Sequence, residues 1–191
     1  MPTNRLLVQG RVATYANTLF EAANEDGQDR VLEVRDQLEQ IVSLFHGNAD
    51  LRDALDAPNY TAEQRGSMAE AVFAGVDPLL ISVLKVMAER EEVKLLPRVW
   101  HMFSDLVEEK LNVAVVGVTT VVDLDDELRA FISDKLKNDL GRNIVLREHI
   151  DPSILGGIII TTQGKRIDAS VASKLANART VLTESNDGGE C

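Results

Sequence analysis

Apolar residues recur at steps of three and four through the first half of the chain, the period of a helix with one buried face. Val8, Val12, Tyr15, Leu19 and Ala23 trace such a stripe along a first helix that opens at Asn4 or a neighbour. The polar stretch 24–28, with Gly27, breaks it. Val31, Val34, Leu38, Ile41, Val42 and Phe45 carry a second helix, which Gly47 and Asn48 stop. Asp50 is placed to cap a short helix that ends before Pro58. Thr61 precedes Gln64 at capping-box spacing, and Met68, Ala71 and Val72 form the expected inner face of the helix so opened. Asp77-Pro78 is another start signal: a carboxylate cap, then a proline whose missing N–H costs nothing in the first turn. Over 79–87 the next helix is apolar except at Ser82 and Lys85. Pro97 marks the first turn of a helix running through Val99, Met102, Phe103 and Leu106.

Around Asn112 the period changes. Residues 113–122 are rich in Val and Thr, the β-branched signature of a strand. Asp123 or Asp125 opens a helix with Leu128, Phe131, Ile132, Leu136 and Leu140 inward, ended by Gly141. Strands are expected around Ile144 and Leu146, over 157–162, and over 165–167, with a tight turn at Gln163-Gly164. Asp151-Pro152 turns the chain between the first two of these. Asp168 or Ser170 caps a last helix carrying Val171, Leu175, Ala178 and Leu182. The fold class is therefore mostly α. An N-terminal helical bundle of about six helices over 1–110 precedes a small α/β module over 111–185. Residues 186–191 have too little apolar content to order themselves, and are expected to form a disordered tail.

Charge narrows the choice of partner. Acids outnumber bases by 31 to 20, a formal charge of −11, whereas phosphate binding needs clustered Lys and Arg. That balance argues against nucleic acid as a partner, and adhesion to an anionic membrane surface is equally disfavoured. No run approaches the roughly 20 apolar residues of a membrane span, and no secretory signal opens the chain. Cys191 is the only cysteine, so no internal disulfide or cysteine metal site is expected. The chain reads as soluble and cytoplasmic, and at a membrane only through another protein.

Motifs for chemistry are missing. His46, His101 and His149 lie on separate elements without a second ligand at helical or hairpin spacing. Gly164-Lys165 lacks the upstream glycine and the following Ser or Thr of a phosphate loop, and Gly156-Gly157 opens a strand, not a helix. The acidic runs 123–127 and Glu108-Glu109 sit at helix ends, where solvated charge is the ordinary reading. No serine stands in a Gly-x-Ser-x-Gly turn. No catalytic, cofactor-binding or metal residue is nominated.

Surplus apolar surface is present instead. The helix over 79–87 is either a central element wrapped by its own neighbours or a partner surface, and the sequence leaves both open. Helix one adds a flatter flank at Ala13, Ala16 and Phe20. Side by side, the two helices would make a helix-binding groove. Val12, Ala13, Tyr15, Ala16, Leu19 and Phe20 would line one wall, with Leu80, Val83, Leu84 and Met87 on the other.

Asp151-Pro152-Ser153-Ile154-Leu155-Gly156-Gly157 resembles an Asp-Pro-x-apolar-apolar-Gly-Gly signature. Gly164, Ile167-Asp168-Ala169-Ser170-Val171 and Leu175 continue the likeness, and Tyr15-Ala16 matches a pair near its start. These residues resemble the delta subunit family of bacterial F-type ATP synthase, counterpart of the mitochondrial oligomycin-sensitivity-conferring protein. The likeness spans roughly residues 8 to 183. Members of that family often carry Glu-Asn-x-Arg late in the fifth helix, where this chain has Glu89-Arg90-Glu91-Glu92 and keeps only the glutamate. The resemblance implies a non-catalytic stator subunit on the cytoplasmic face of the bacterial cell membrane, held there by its partners. Its helical domain would grip alpha subunits of the catalytic head, and its C-terminal module would join the b subunit of the peripheral stalk. The competing reading is an unrelated helical adaptor that binds amphipathic helices.

Overall fold

The structure is a computed structural model and describes residues 2–55, 57, 59–162 and 165–184. Pro58, the 163–164 turn with Gly164, and the 186–191 tail lie outside them. Contacts divide the chain into two compact units, Met1–Leu111 and Asn112–Cys191. The described residues form eight α-helices and one four-stranded sheet, so the chain is mostly α with a C-terminal α/β module.

In the first unit, α1 (Pro2–Asn24), α2 (Gln28–Gly47), α3 (Ala49–Leu55), α4 (Ala62–Val72), α5 (Pro78–Glu89) and α6 (Leu96–Leu111) follow in order. A short 3-10 turn, Val93–Leu95, leads into α6. Helices α1 and α2 both pack on α6, α4 pairs with α5, and α1 touches α5. Leu19, Leu38, Leu80, Met87 and Phe103 are fully buried between them. Each such side chain contributes roughly 1.5–3 kcal/mol by leaving water.

Local chemistry sets the helix ends. Thr61 Oγ1 accepts from Gln64 N at 3.3 Å, and the Gln64 side chain accepts from Thr61 N at 2.9 Å, which closes the capping box. Asp77 accepts from Leu79 N at 2.8 Å ahead of Pro78. Asp50 sits inside the first turn of α3 and not at its cap. The inner face of α4 differs from the expected one. Arg65, Gly66 and Ala69 are buried, Met68 is half-buried, and Ala71 and Val72 face solvent. Two contacts to α5 set that rotation. Gly66 lets α4 approach so closely that a Cβ there would lie 2.7 Å from the Glu89 carboxylate. Arg65 donates to Ala88 O at 2.9 Å and Glu89 O at 3.0 Å, adding side-chain donors to the carbonyls at the end of α5, where the helix ladder runs out.

The second unit runs β1 (Val113–Thr120), α7 (Asp126–Leu140), β2 (Asn143–Ile150), β3 (Ile159–Thr162), β4 (Lys165–Asp168) and α8 (Val171–Glu184). The sheet order is β2-β1-β3-β4. Helix α7 is the crossover that lets β2 lie parallel to β1, with Val116 opposite Leu146. Strand β3 is antiparallel to β1, and β4 to β3. Val116, Val118, Leu124 and Ile132 form the core, with Leu136, Ile144, Leu146, Ile158 and Ile160 packed on it. Asp125 is the residue that caps α7, accepting from Leu128 N at 2.7 Å, and Gly141 ends the helix in the left-handed region.

Other expectations for this unit need correction. Strand β1 stops at Thr120, because Thr120 Oγ1 donates to Val122 O at 2.7 Å and turns the chain, leaving Val122 exposed. Strand β3 begins at Ile159, since Gly156 and Gly157 hold positive φ angles of 152° and 81°. On α7 only Ile132 is buried and Leu136 half-buried, whereas Leu128, Phe131 and Leu140 are exposed. A single sheet face lies under α7, so a narrower stripe suffices than the five positions suggested. On α8, Val171, Leu175 and Ala178 are exposed as well.

Candidate partner-binding surfaces

Of the ten groove residues nominated from sequence, Val12, Tyr15, Ala16, Leu19, Leu80, Leu84 and Met87 are buried in the helical unit's own core. Ala13, Phe20 and Val83 are half-buried. Ala16 is the main correction: its exposure is 0%, so neighbouring helices already occupy the close approach that its small side chain permits. Helices α1 and α5 do touch, as the groove requires. Among the apolar positions they leave open are Ala13 and Phe20 on α1, with Leu79, Val83 and Val86 on α5. Sequence reasoning passed over Leu79 and Val86, although 79, 83 and 86 keep helical spacing. The all-round apolar girth of this helix hid which stripe faced out.

A buried polar lock ties α1 to the turn after α5. Glu92 is buried, accepts from Tyr15 Oη at 2.7 Å and pairs with Arg11. Burial raises the Tyr15 phenol above its ordinary value, and the bond to Glu92 raises it further. Glu91, in the left-handed region at φ 59°, lies 3.1 Å from Arg65. Within the polar run 89–92, the last residue, Glu92, anchors the first helix.

In the second unit Gly156, Gly157, Asp168 and Ser170 meet around the start of α8. Asp151 accepts from Ser153 N at 2.9 Å and opens a 3-10 turn at Pro152. Val171 N donates to Gly156 O and Ala169 N to Ile158 O, each at 2.9 Å. Asp168 accepts from Ser170 N at 3.0 Å and from Ser170 Oγ at 2.6 Å, while Ser170 Oγ accepts from Ser173 N at 3.1 Å. Both of the proposed capping residues therefore act together. Hydrogen bonds from Ser170 hold the Asp168 carboxyl below its ordinary range, and those from Ser153 do the same for Asp151. At Gly157 a methyl group would collide with Ala169 O and lie 3.0 Å from Ser170 Cα.

This knot fixes α8 at one end and leaves its apolar residues in water. Val171, Leu175 and Val181 are exposed, as are Leu155 and Ile167 nearby in sequence. Leu155 is held in the left-handed region at φ 62°, a conformation that glycine adopts at lower cost, and is 66% exposed. Neither its strain nor its exposure serves the core. The segment carries Lys165, Arg166, Lys174 and Arg179 against Asp168 and Glu184, a basic stretch in an acidic chain.

Titratable clusters elsewhere are structural. Arg129 bridges Glu148 at 2.5 Å and Asp126 at 2.6 Å, and its hydrogen bond lowers the Glu148 carboxyl. His46, His101 and His149 are all exposed, on α2, α6 and β2. Among the described residues no group of three His, Cys, Asp or Glu is placed to hold a metal ion.

The family model of the ATP synthase delta (OSCP) subunit matches residues 12–182. ATP synthase subunit delta of Azorhizobium caulinodans is 31% identical over 180 residues, which are 93% of this chain and 96% of the relative. Its counterpart in Prochlorococcus marinus is 30% identical over 171 residues, 88% of this chain and 94% of that one. Among solved structures, a chain of the Toxoplasma gondii mitochondrial ATP synthase hexamer shares the fold. Its TM-score is 0.52 at 20% identity, covering 90% of this chain and 97% of that one. The chain belongs to the ATP synthase delta (OSCP) subunit family.

Proposed function

We propose that this subunit of F-type ATP synthase is a non-catalytic stator component, joining the catalytic head to the b-subunit stalk of the membrane sector. The observation that carries the reading is the open apolar stripe of α8, matched in the helical unit by the open positions along α1 and α5. A connector needs a surface at each end, because a head that drives a rotor turns with it unless tied to something fixed. Alpha subunits would be gripped through Ala13, Phe20, Leu79, Val83 and Val86. The b subunit would be met through Leu155, Ile167, Val171 and Leu175. A few such anchors, at roughly 1.5–3 kcal/mol each, offset an association cost of about 4–15 kcal/mol only when several engage at once. Extended stripes suit that demand better than point contacts.

Among the described residues no helix is long and apolar enough to cross a membrane. The subunit would be peripheral on the cytoplasmic face, held by its partners. Its domains would divide at 110, and neither would turn over nucleotide.

Affinity capture from detergent-solubilised membranes tests the reading. Val171→Asp/Leu175→Asp should lose b while retaining alpha, and Val83→Asp/Val86→Asp should lose alpha while retaining b. Recovery of both partners by both variants would refute the assignment of surfaces. Recovery of neither by the unaltered chain would refute the stator assignment itself.

A further inference from the structure

The apolar stripe of α1 continues beyond the part that the bundle covers. Leu19, Ala16 and Val12 are buried, but Val8, one turn further out, is half-buried. Beside it a groove of about 750 Å³ opens between α1 and α6. Val8, Val12 and Met102 give it an apolar floor. Arg5, Arg98 and His101 stand on its exposed rim with Gln9, and Asp105 is the one acid among the described lining residues. This balance departs from the whole chain, in which acids outnumber bases by 31 to 20. The first acid in the sequence is Glu21, so Arg5 and Arg11 are the only charged side chains over residues 1–20.

We propose that this groove is a second docking site, for an amphipathic helix of a partner protein whose apolar stripe is flanked by acidic residues. The site is separate from the open strip on α5, none of whose residues line it. It also stands independently of the stator assignment. A trough between two helices is elongated and apolar along its floor, the shape that accepts a helix through anchors at helical spacing. Met102 is unbranched and adjusts to the anchor above it. The rim sets the sign of the partner. The chain's overall charge disfavours an acidic segment except where cations gather locally, and here the apolar floor lies between such cations, so Arg5 and Arg98 favour this site and set the register of the encounter.

The test uses the isotope-labelled full chain and two synthetic helical peptides of about five turns. One carries leucines at helical spacing flanked by glutamates, and the other has lysines in place of the glutamates. The glutamate peptide should bind saturably, shift the resonances of Val8, Val12 and Met102, and bind at least about tenfold more tightly than the lysine peptide. Arg5→Glu/Arg98→Glu should reverse that order while leaving the thermal melt unchanged, since both side chains are exposed. Equal affinity for the two peptides would overturn the proposal, as would absence of binding or shifts confined to Val83 and Val86. Sedimentation provides a further check: a concentration-dependent dimer that blocks the peptide would assign the groove to a second copy of the chain, and would equally overturn it.

Discussion

Replacing Gly157 with alanine should unfold the link between the Gly-Gly turn and α8. Gly157 has a φ of 81°, and an L-residue there costs about 1–2 kcal/mol. The added methyl would strike Ala169 O and sit 3.0 Å from Ser170 Cα, both backbone atoms that no rotamer change can move aside. Such overpacking costs roughly 1–3 kcal/mol, and the stiffer unfolded chain returns about 0.4–1 kcal/mol. The net loss is about 1–4.6 kcal/mol, or roughly 4–37 °C in melting temperature for a unit of this size. Native-state hydrogen exchange reads it directly at the amides of Ala169 and Val171, which donate to Ile158 O and Gly156 O across the turn. Gly10→Ala is the control. Gly10 lies within α1, and a methyl group added there would meet no atom within 4 Å, so this change should stabilise the first unit by up to about 1 kcal/mol. A Gly157→Ala protein whose exchange at those amides changes by less than about 0.5 kcal/mol would refute the reasoning.

Ala16→Arg should abolish the cooperative melt of the helical unit followed by circular dichroism, because Ala16 is fully buried and the guanidinium would have neither room nor partner. Tyr15→Phe should cost about 1 kcal/mol at neutral pH by removing the bond to Glu92. The same change should remove an alkaline limb: the phenol is raised in the folded state, so its contribution is complete below its ordinary pKa and lost as pH rises through the folded value. Asp168 behaves in the opposite sense. Its folded pKa is lowered, so its contribution is present above the ordinary carboxylate value and lost as pH falls through the depressed one. Ser170→Ala should move the Asp168 midpoint upward in a carboxyl-resonance titration. A chain ending at residue 110 should keep a cooperative thermal transition in calorimetry, and a broad, non-cooperative one would place the domain boundary elsewhere.

Features decided by adjacent residues were legible in sequence. Thr61 with Gln64, Asp77 with Pro78, and Gly141 each set a helix end through groups within a few positions. Orientation was harder to read. The spacing of Leu128, Phe131 and Leu140 is that of an inward face, but only the number of layers laid against a helix decides how wide that face is. Ala16 was misjudged for the same reason: a small residue beside a stripe is a flank when two helices meet and core when a third closes over it. Glu92 and Arg65 were missed because their partners lie 77 and 23 residues away, beyond any local pattern. The Gly-Gly turn was found, though its reason was a backbone contact with Ala169, which sequence does not display.

The sheet order has a consequence for synthesis. Strand β1 is the first of its unit to leave the ribosome and ends up between β2 and β3, both edges paired. Its parallel partner starts at Asn143 and its antiparallel partner at Ile159, so a nascent chain carries β1 incompletely paired while roughly forty further residues are added. Over 113–122 that segment is uncharged and lacks proline, the composition that joins like strands of neighbouring chains. Translation stalled in this interval would leave a folded helical bundle carrying an adhesive strand, a product prone to aggregate on polysomes.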